Sequence, residues 1–172
     1  MTLHELNILD KERLRQELFK CCGSSAWVNG MMKFFPADDL VELLEDAEEV
    51  WYNCSEADWK EAFTHHPKIG DVESLRKKFA STADWASGEQ SGVNIASKET
   101  IEALAEGNRL YEEKFGYIFI VCATGKTASE MLAMLQSRLN NSPAEEIKVA
   151  MDEQNKITKL RLEKLVDIDT NP

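Results

Sequence analysis

One histidine in this sequence has a setting that suits acid–base chemistry. His66 is followed by Pro67, and helix is disfavoured for a residue before proline, so we expect His66 at an extended exit from a helix. An imidazole held there can act as a general acid or base near neutral pH; a surface or capping histidine is the alternative. Adjacent histidines such as His65 and His66 seldom bind one metal ion, because neighbouring helical side chains point about 100° apart. The Cys and His spacings of zinc sites are absent elsewhere, so no metal site is predicted.

An arginine stands among apolar positions near the end of the chain. A helix is predicted from residue 143 to about residue 166, and one of its faces is apolar at helical spacing. The apolar positions are Ile147, Met151, Ile157 and Leu165, and Gln154, Thr158 and Arg161 fall within the same face. An isolated buried charge is costly, so Arg161 needs a partner. In the structural interpretation, Arg161 pairs with an internal carboxylate or its side chain snorkels to the surface. In the functional interpretation, Arg161 binds an anionic or polar substrate.

Two further segments contain residue types that could do chemistry. The polar cluster at 87–90, Ser-Gly-Glu-Gln, is typical of a loop and a helix start. The sequence Gly-Lys-Thr at 125–127 is similar to the end of a phosphate-binding loop, but Ile120 occupies the place of the first glycine. Nucleotide binding is therefore not predicted.

The elements that must position these residues are helices. The 172 residues fit one domain, 1–172, and the 8 glycines and 4 prolines are too few for many tight turns. We expect an all-α bundle of about eight helices, the first one after Asp10. Helix starts are indicated at Asp10, Ser55, Asp71, Ser97, Thr127 and Ser142. The apolar run 117–123 could be a strand, but it has no second strand to pair with and is predicted to be an extended connector.

Charge and composition exclude several classes of partner. The formal net charge is −11, which disfavours binding to nucleic acid or to an anionic membrane. No apolar run reaches the length of a membrane helix, and the two ends show neither a signal peptide nor a peroxisomal tail. The four cysteines have no zinc or thioredoxin spacing and are expected to be buried thiols. A cytoplasmic protein is the resulting expectation.

Five segments together resemble a known family. They read FKCCGSSAWV at 19–28, HPKIGD at 66–71, EQSGV at 89–93, FGYIFIVCA at 115–123 and KITKLRL at 156–162. In this order, over nearly the whole chain, they are similar to the decarboxylases of 2-oxo-4-hydroxy-4-carboxy-5-ureidoimidazoline (OHCU). Each segment is modest by itself, and the specificity lies in the set.

The resemblance implies a fold, an activity and site residues. It implies a cofactor-free, all-α homodimer that converts OHCU, as its small-molecule substrate, to S-allantoin in urate degradation. His66 and Glu89 match the catalytic positions. The substrate-binding positions are Pro67, Ser87, Gln90, Phe119, Ile120, Val121, Cys122, Ala123 and Arg161. The family often has serine where this chain has Ala86, so Ser87 or a backbone N–H would have to take over that hydrogen bond.

The substrate itself explains why no cofactor is expected. Its carboxylate leaves a ring carbon next to a C=N bond, which accepts the electrons. His66 would then serve as the acid/base, Glu89 would orient it or exchange protons with it, and Gln90 and Arg161 would hold oxygens of the substrate. Two alternatives remain open: a non-catalytic acidic helical interaction module, and a hydrolase of hydroxyisourate, which the helical composition disfavours. Convergence of His66, Glu89 and Arg161 on one pocket would separate the first alternative from the enzyme.

Overall fold

A computed structural model describes residues 1–67, 70–86 and 97–166 of the chain. The described residues form α1 (Leu3–Asn7), α2 (Lys11–Cys21), α3 (Ser25–Met31), α4 (Leu40–Tyr52), α5 (Glu56–Thr64), α6 (Val72–Ala86), α7 (Lys98–Phe115), α8 (Ala128–Leu139) and α9 (Pro143–Leu165), with a 3₁₀ turn at Met32–Phe34. None of these residues lies in a strand. The predicted all-α class is confirmed, and the short helix α1 is the addition to the sequence-based expectation. No helix in this part of the chain is long and apolar enough to cross a membrane.

The helix starts follow the capping residues that the sequence indicates. Asp10 accepts a hydrogen bond from the Arg13 amide, and Ser97 accepts one from the Thr100 amide. Ser55 forms a reciprocal capping box with Asp58, so a short aspartate suffices in place of the usual glutamate. These bonds satisfy amides that have no acceptor within their own helix.

The chain divides into two compact units, one made of residues 1–66, 120–122 and 149 onward, the other of 67–119 and 123–148. The predicted single domain over 1–172 stays a prediction.

In the first unit the core is built on buried tryptophans whose N–H groups are paired. Trp27 donates to the Ala47 carbonyl at 3.1 Å, and Trp51 donates to the Met151 carbonyl at 2.8 Å. Each therefore buries a large ring without leaving a polar atom unsatisfied.

In the second unit, α7 and α8 pack closely, and Gly107 allows the approach. A Cβ at this position would lie 2.6 Å from Leu135 Cδ2, which is far inside van der Waals contact.

A buried ion pair joins α8 to α9 in the same unit. Arg138 Nη2 lies 2.5 Å from Glu146 Oε1, and Glu146 is fully buried. Tyr111 of α7 donates its hydroxyl hydrogen to Glu146 as well, so the cluster ties three helices together.

Candidate active site

His66 lies immediately beyond α5, as Pro67 predicts. The helix ends at Thr64, His65 is its C-cap, and the His66 amide donates to the Phe63 carbonyl at 3.4 Å. Phe63 is fully buried and anchors the end of α5 in the core. His66 is half-buried, whereas His65 and Pro67 are exposed. The backbone therefore presents two neighbouring imidazoles in different environments, and only His66 turns towards the interior.

The ring of His65 packs between α2 and the turn that follows it. It meets the Phe19 ring edge-on, with 4.8 Å between the ring centroids. A Cβ on Gly23 would lie 2.7 Å from the His65 Cβ and 2.9 Å from its ring. Any other residue at position 23 would push His65 away, and the neighbouring His66 would move with it. Gly23 is thus a residue of the site that the sequence reasoning did not assign.

A buried polar chain begins at the inner side of His66. Its Nε2 is hydrogen-bonded to Gln154 Oε1 of α9, and Gln154 Nε2 donates to Thr158 Oγ1 at 3.1 Å. The Cys22 thiol after α2 lies next to the Thr158 hydroxyl. Gln154 is fully buried and Thr158 nearly so. An unpaired buried group costs about 1–3 kcal/mol, so pairing explains how α9 carries both residues in its buried face.

The surroundings of His66 lower its pKa below the ordinary value. Burial is the main cause, because it disfavours the imidazolium, and the positive charge of Arg161 acts in the same direction, as does His65. The hydrogen bond with Gln154 opposes this shift. At neutral pH the ring is therefore mostly neutral and ready to accept a proton.

Arg161 lies at the edge of the buried face of α9 rather than inside it. The side chain is half-buried, and its Nη1 donates to the carbonyls of Lys20 at 3.3 Å and Cys21 at 3.5 Å. Within the described ranges no carboxylate is within 4.0 Å of it, so an internal ion pair is not seen there. The buried face of α9 differs from the predicted one. Ile157 and Leu165 are only half-buried, while Gln154, Thr158 and Leu162 occupy the centre of the buried face. The charge of Arg161 is therefore not neutralised by a formal anion from the described residues.

The segment 120–122 is hydrogen-bonded to α9 at Glu153, the residue before Gln154. The Cys122 amide donates to Glu153 Oε1 at 3.3 Å, and Glu153 is 4% exposed. Ile120 and Cys122 are buried, and Val121 is half-buried. The run 117–123 is in neither a helix nor a strand. Glu153 is a second contributor that the sequence reasoning missed, because its partner lies 31 residues away.

The other predicted site residues belong to the second unit or lie outside the described residues. Phe119 and Ala123 belong to the second unit, where the Arg138 guanidinium lies 4.5 Å from the Phe119 ring centroid. Pro67 belongs to the second unit too. Ser87, Glu89 and Gln90, together with the neighbouring part of the chain up to residue 96, lie outside the described residues. Of the three residues whose convergence would separate an enzyme from an interaction module, the structure describes His66 and Arg161, and the charge of Arg161 acts on the pKa of His66.

Two other features bear on what the site could hold. No cluster of three His, Cys, Asp or Glu side chains in the described part of the chain could bind a metal ion. A groove of about 500 Å³ between α2 and α3 is lined by Arg15, Gln16, Phe19, Lys20, Ser25, Val28 and Asn29. None of these seven residues was predicted to carry chemistry.

Comparison with known proteins gives a consistent result. The OHCU decarboxylase family matches residues 7–163. The chain is 40% identical over 148 residues to "Uric acid degradation bifunctional protein TTL" of Arabidopsis thaliana, covering 84% of this chain and 45% of that protein. It is 26% identical over 166 residues to the 2-oxo-4-hydroxy-4-carboxy-5-ureidoimidazoline decarboxylase of Haloferax volcanii, covering 94% of each. A crystal structure of OHCU decarboxylase in the presence of (S)-allantoin superposes with a TM-score of 0.70 at 38% identity, covering 87% of this chain and 96% of that one.

Proposed function

The chain belongs to the OHCU decarboxylase family, and from that premise we propose that it is a carboxy-lyase that converts OHCU to S-allantoin in urate degradation. The observation that carries the proposal is the placement of His66. Its imidazole is neutral and half-buried, held at the end of α5 by a paired amide chain, with an arginine close by that has no carboxylate partner among the described residues. This combination supplies a proton acceptor beside a site for an anion.

The reaction needs few groups from the protein. The bond from the ring carbon to the carboxylate breaks and carbon dioxide leaves. The electron pair of that bond forms a double bond to the neighbouring ring carbon, and the C=N electron pair moves to the ring nitrogen, which takes up a proton. The hydroxyl on the same carbon then loses its proton as a carbonyl forms, and one proton is added to one face of the neighbouring ring carbon. His66 is the group proposed to accept and return a proton in these steps.

Charge placement is the second contribution. Arg161 has no carboxylate partner in the described region, and it is proposed to hold substrate oxygens. The protein as a whole carries a net charge of −11, so its overall field repels an anionic substrate. A local cation at the site offsets this repulsion where the substrate binds.

The remaining site assignments are part of the same proposal. Glu89 is proposed to orient His66 or to exchange protons with it, and Gln90, with Ser87 in place of the family serine, to hold the substrate by hydrogen bonds. The pocket is further proposed to include Pro67 and the backbone of the run 119–123. Within that run, the Cys122 amide bond to Glu153 fixes the course of the central three residues.

The assembly and the compartment are proposed on the family resemblance and on the thiols. A homodimer is proposed because the family resemblance implies one. A cytoplasmic location is proposed because none of the four cysteines forms a disulfide and three of them are buried. Gel filtration with light scattering tests the first point, and fractionation of cells expressing the chain tests the second.

The function is tested by supplying OHCU made in place from urate by the two preceding reactions. Release of carbon dioxide from the carboxylate, followed by ¹³C NMR, should accelerate on adding the protein and should not accelerate with His66→Asn. Hydroxyisourate supplied alone should not be hydrolysed faster, which separates the decarboxylase from the hydrolase. An unchanged rate of carbon dioxide release would leave the interaction module as the better account.

A further inference from the structure

The buried amide of Gln154 contacts the same imidazole to which the reaction is assigned. Gln154 belongs to α9, 88 residues from His66 along the chain. We infer that Gln154, backed by Thr158, is a positioning residue that keeps the proton of His66 on Nε2, so that Nδ1 is the nitrogen that exchanges a proton with the substrate. The tautomer half of this inference, that the proton is on Nε2, rests on geometry alone. The catalytic half, that Nδ1 exchanges a proton with the substrate, rests on the proposed function.

The direction of the hydrogen bonds fixes the tautomer. An amide oxygen can only accept, so a bond from His66 Nε2 to Gln154 Oε1 requires a hydrogen on Nε2. The orientation of the amide is set at its other end, where its Nε2 donates to Thr158 Oγ1 at 3.1 Å. Both hydrogen bonds therefore run in one direction, from the ring to Gln154 and from Gln154 to Thr158.

Two protonation states of the ring are compatible with this arrangement. Nε2 keeps its hydrogen in the neutral and in the cationic form, so the bond to Gln154 persists through a proton transfer. Only Nδ1 gains or loses a proton. The amide therefore holds the ring in one orientation throughout the reaction, and reorientation of the ring does not compete with catalysis.

The charges that face the ring make its pH dependence predictable. Arg161 on α9 and His65 on α5 disfavour the cation, and so does burial, while the Gln154 oxygen favours it. The thiol of Cys22 lies behind Thr158, and burial raises its pKa to about 12, so it stays neutral at physiological pH. Replacing the amide by a carboxylate should raise the pKa of His66, and removing the acceptor should lower it.

The tautomer half is tested without any substrate. Long-range ¹H–¹⁵N NMR of the wild-type protein, with the three histidines assigned from single His→Gln variants, reports which ring nitrogens carry hydrogen. We expect Nε2 of His66 to be of the protonated type on both sides of its titration and Nδ1 to change. An Nε2 without hydrogen in the neutral ring would mean that the amide is turned the other way and would overturn the inference.

The catalytic half is tested with two replacements of Gln154 and a matched control. Gln154→Met removes the acceptor at similar length and should lower kcat about 10- to 100-fold, the scale for a misplaced catalytic group, with little change in KM. Gln154→Glu keeps an acceptor, so it should retain more activity than Gln154→Met. The limb of its pH–rate profile that reports the titration of His66 should move to higher pH. Gln136→Glu, the same change at an exposed position of α8, should alter neither property.

Failure of the inference is distinct from failure of the proposed function. If wild-type protein does not turn over OHCU, the function fails, whereas the NMR result still decides the tautomer. If wild-type protein is active and both Gln154 variants keep its kcat and pH profile, the positioning role is refuted. Should Gln154→Met fold poorly, the pH shift of Gln154→Glu, measured on folded protein, decides the question alone.

Discussion

Replacing Arg161 with Met distinguishes a substrate contact from a structural one. Among the described residues, its half-buried guanidinium donates to two carbonyls, at 3.3 and 3.5 Å, which are long hydrogen bonds. A hydrogen bond contributes about 0.5–1.5 kcal/mol at ordinary geometry. Long bonds to carbonyls near solvent contribute less, because water replaces the lost donor, so we expect the free energy of unfolding to fall by about 1 kcal/mol or less.

Binding should respond much more strongly than stability. Losing one member of a desolvated charged pair costs about 2–5 kcal/mol of binding free energy, so the affinity for substrate or for allantoin-like inhibitors should fall about 30-fold or more. Urea unfolding and inhibitor titration on the same preparation measure both quantities. Lys164→Met removes a positive charge from an exposed position of the same helix and should leave both nearly unchanged.

The opposite pattern would refute this reasoning. A loss of about 3 kcal/mol or more in stability, with unchanged affinity per folded molecule, would mean that Arg161 has a carboxylate partner and serves the fold.

Further predictions follow from the same geometry. His66→Asn should keep the helical circular dichroism spectrum and lose about 10²- to 10⁴-fold in kcat, whereas His65→Ala should lose far less; equal losses would remove the distinction between the two rings. Gly23→Ala should lower activity because a Cβ would lie 2.7 Å from the His65 Cβ, and unchanged activity would show that the turn yields freely. Glu146→Ala should destabilise the protein by about 3–5 kcal/mol in urea unfolding, since it removes the carboxylate that pairs with the buried Arg138 guanidinium, and a smaller loss would mean that water reaches the cluster. The pKa of His66 is lowered in the fold, so its contribution to stability is present above the unfolded pKa, about the reference value of 6.5, and is lost as the pH falls below it. The wild-type melting temperature should therefore fall more steeply between pH 7 and pH 5 than that of His66→Asn.

The helices were predictable because their signals are local. Each cap involves atoms three residues apart, as at Ser55 and Asp58, so the sequence itself contains both partners. Pro67 acts on the residue next to it, and the exit of His66 from α5 follows from that constraint. The start of α9 was predicted for the same reason, from a proline and a capping box.

The partners within the site could not be predicted, since they are distant along the chain. The contact between His66 and Gln154 spans 88 residues, and the contact between Cys122 and Glu153 spans 31. What the sequence did contain was a sign of such pairing, because polar residues in an apolar helical face require partners. This sign was correct for Gln154, whereas Arg161, with its longer side chain, reaches the edge of the face and finds carbonyls there.

The most direct test of the central claim is circular dichroism of the product. OHCU generated from urate is mixed with catalytic amounts of the protein, and the dichroic signal of allantoin is followed over time. The account predicts a rapid signal of the S enantiomer with the wild-type chain and only the slow, uncatalysed course with His66→Asn. A wild-type reaction that proceeds at the uncatalysed rate to racemic allantoin would contradict it.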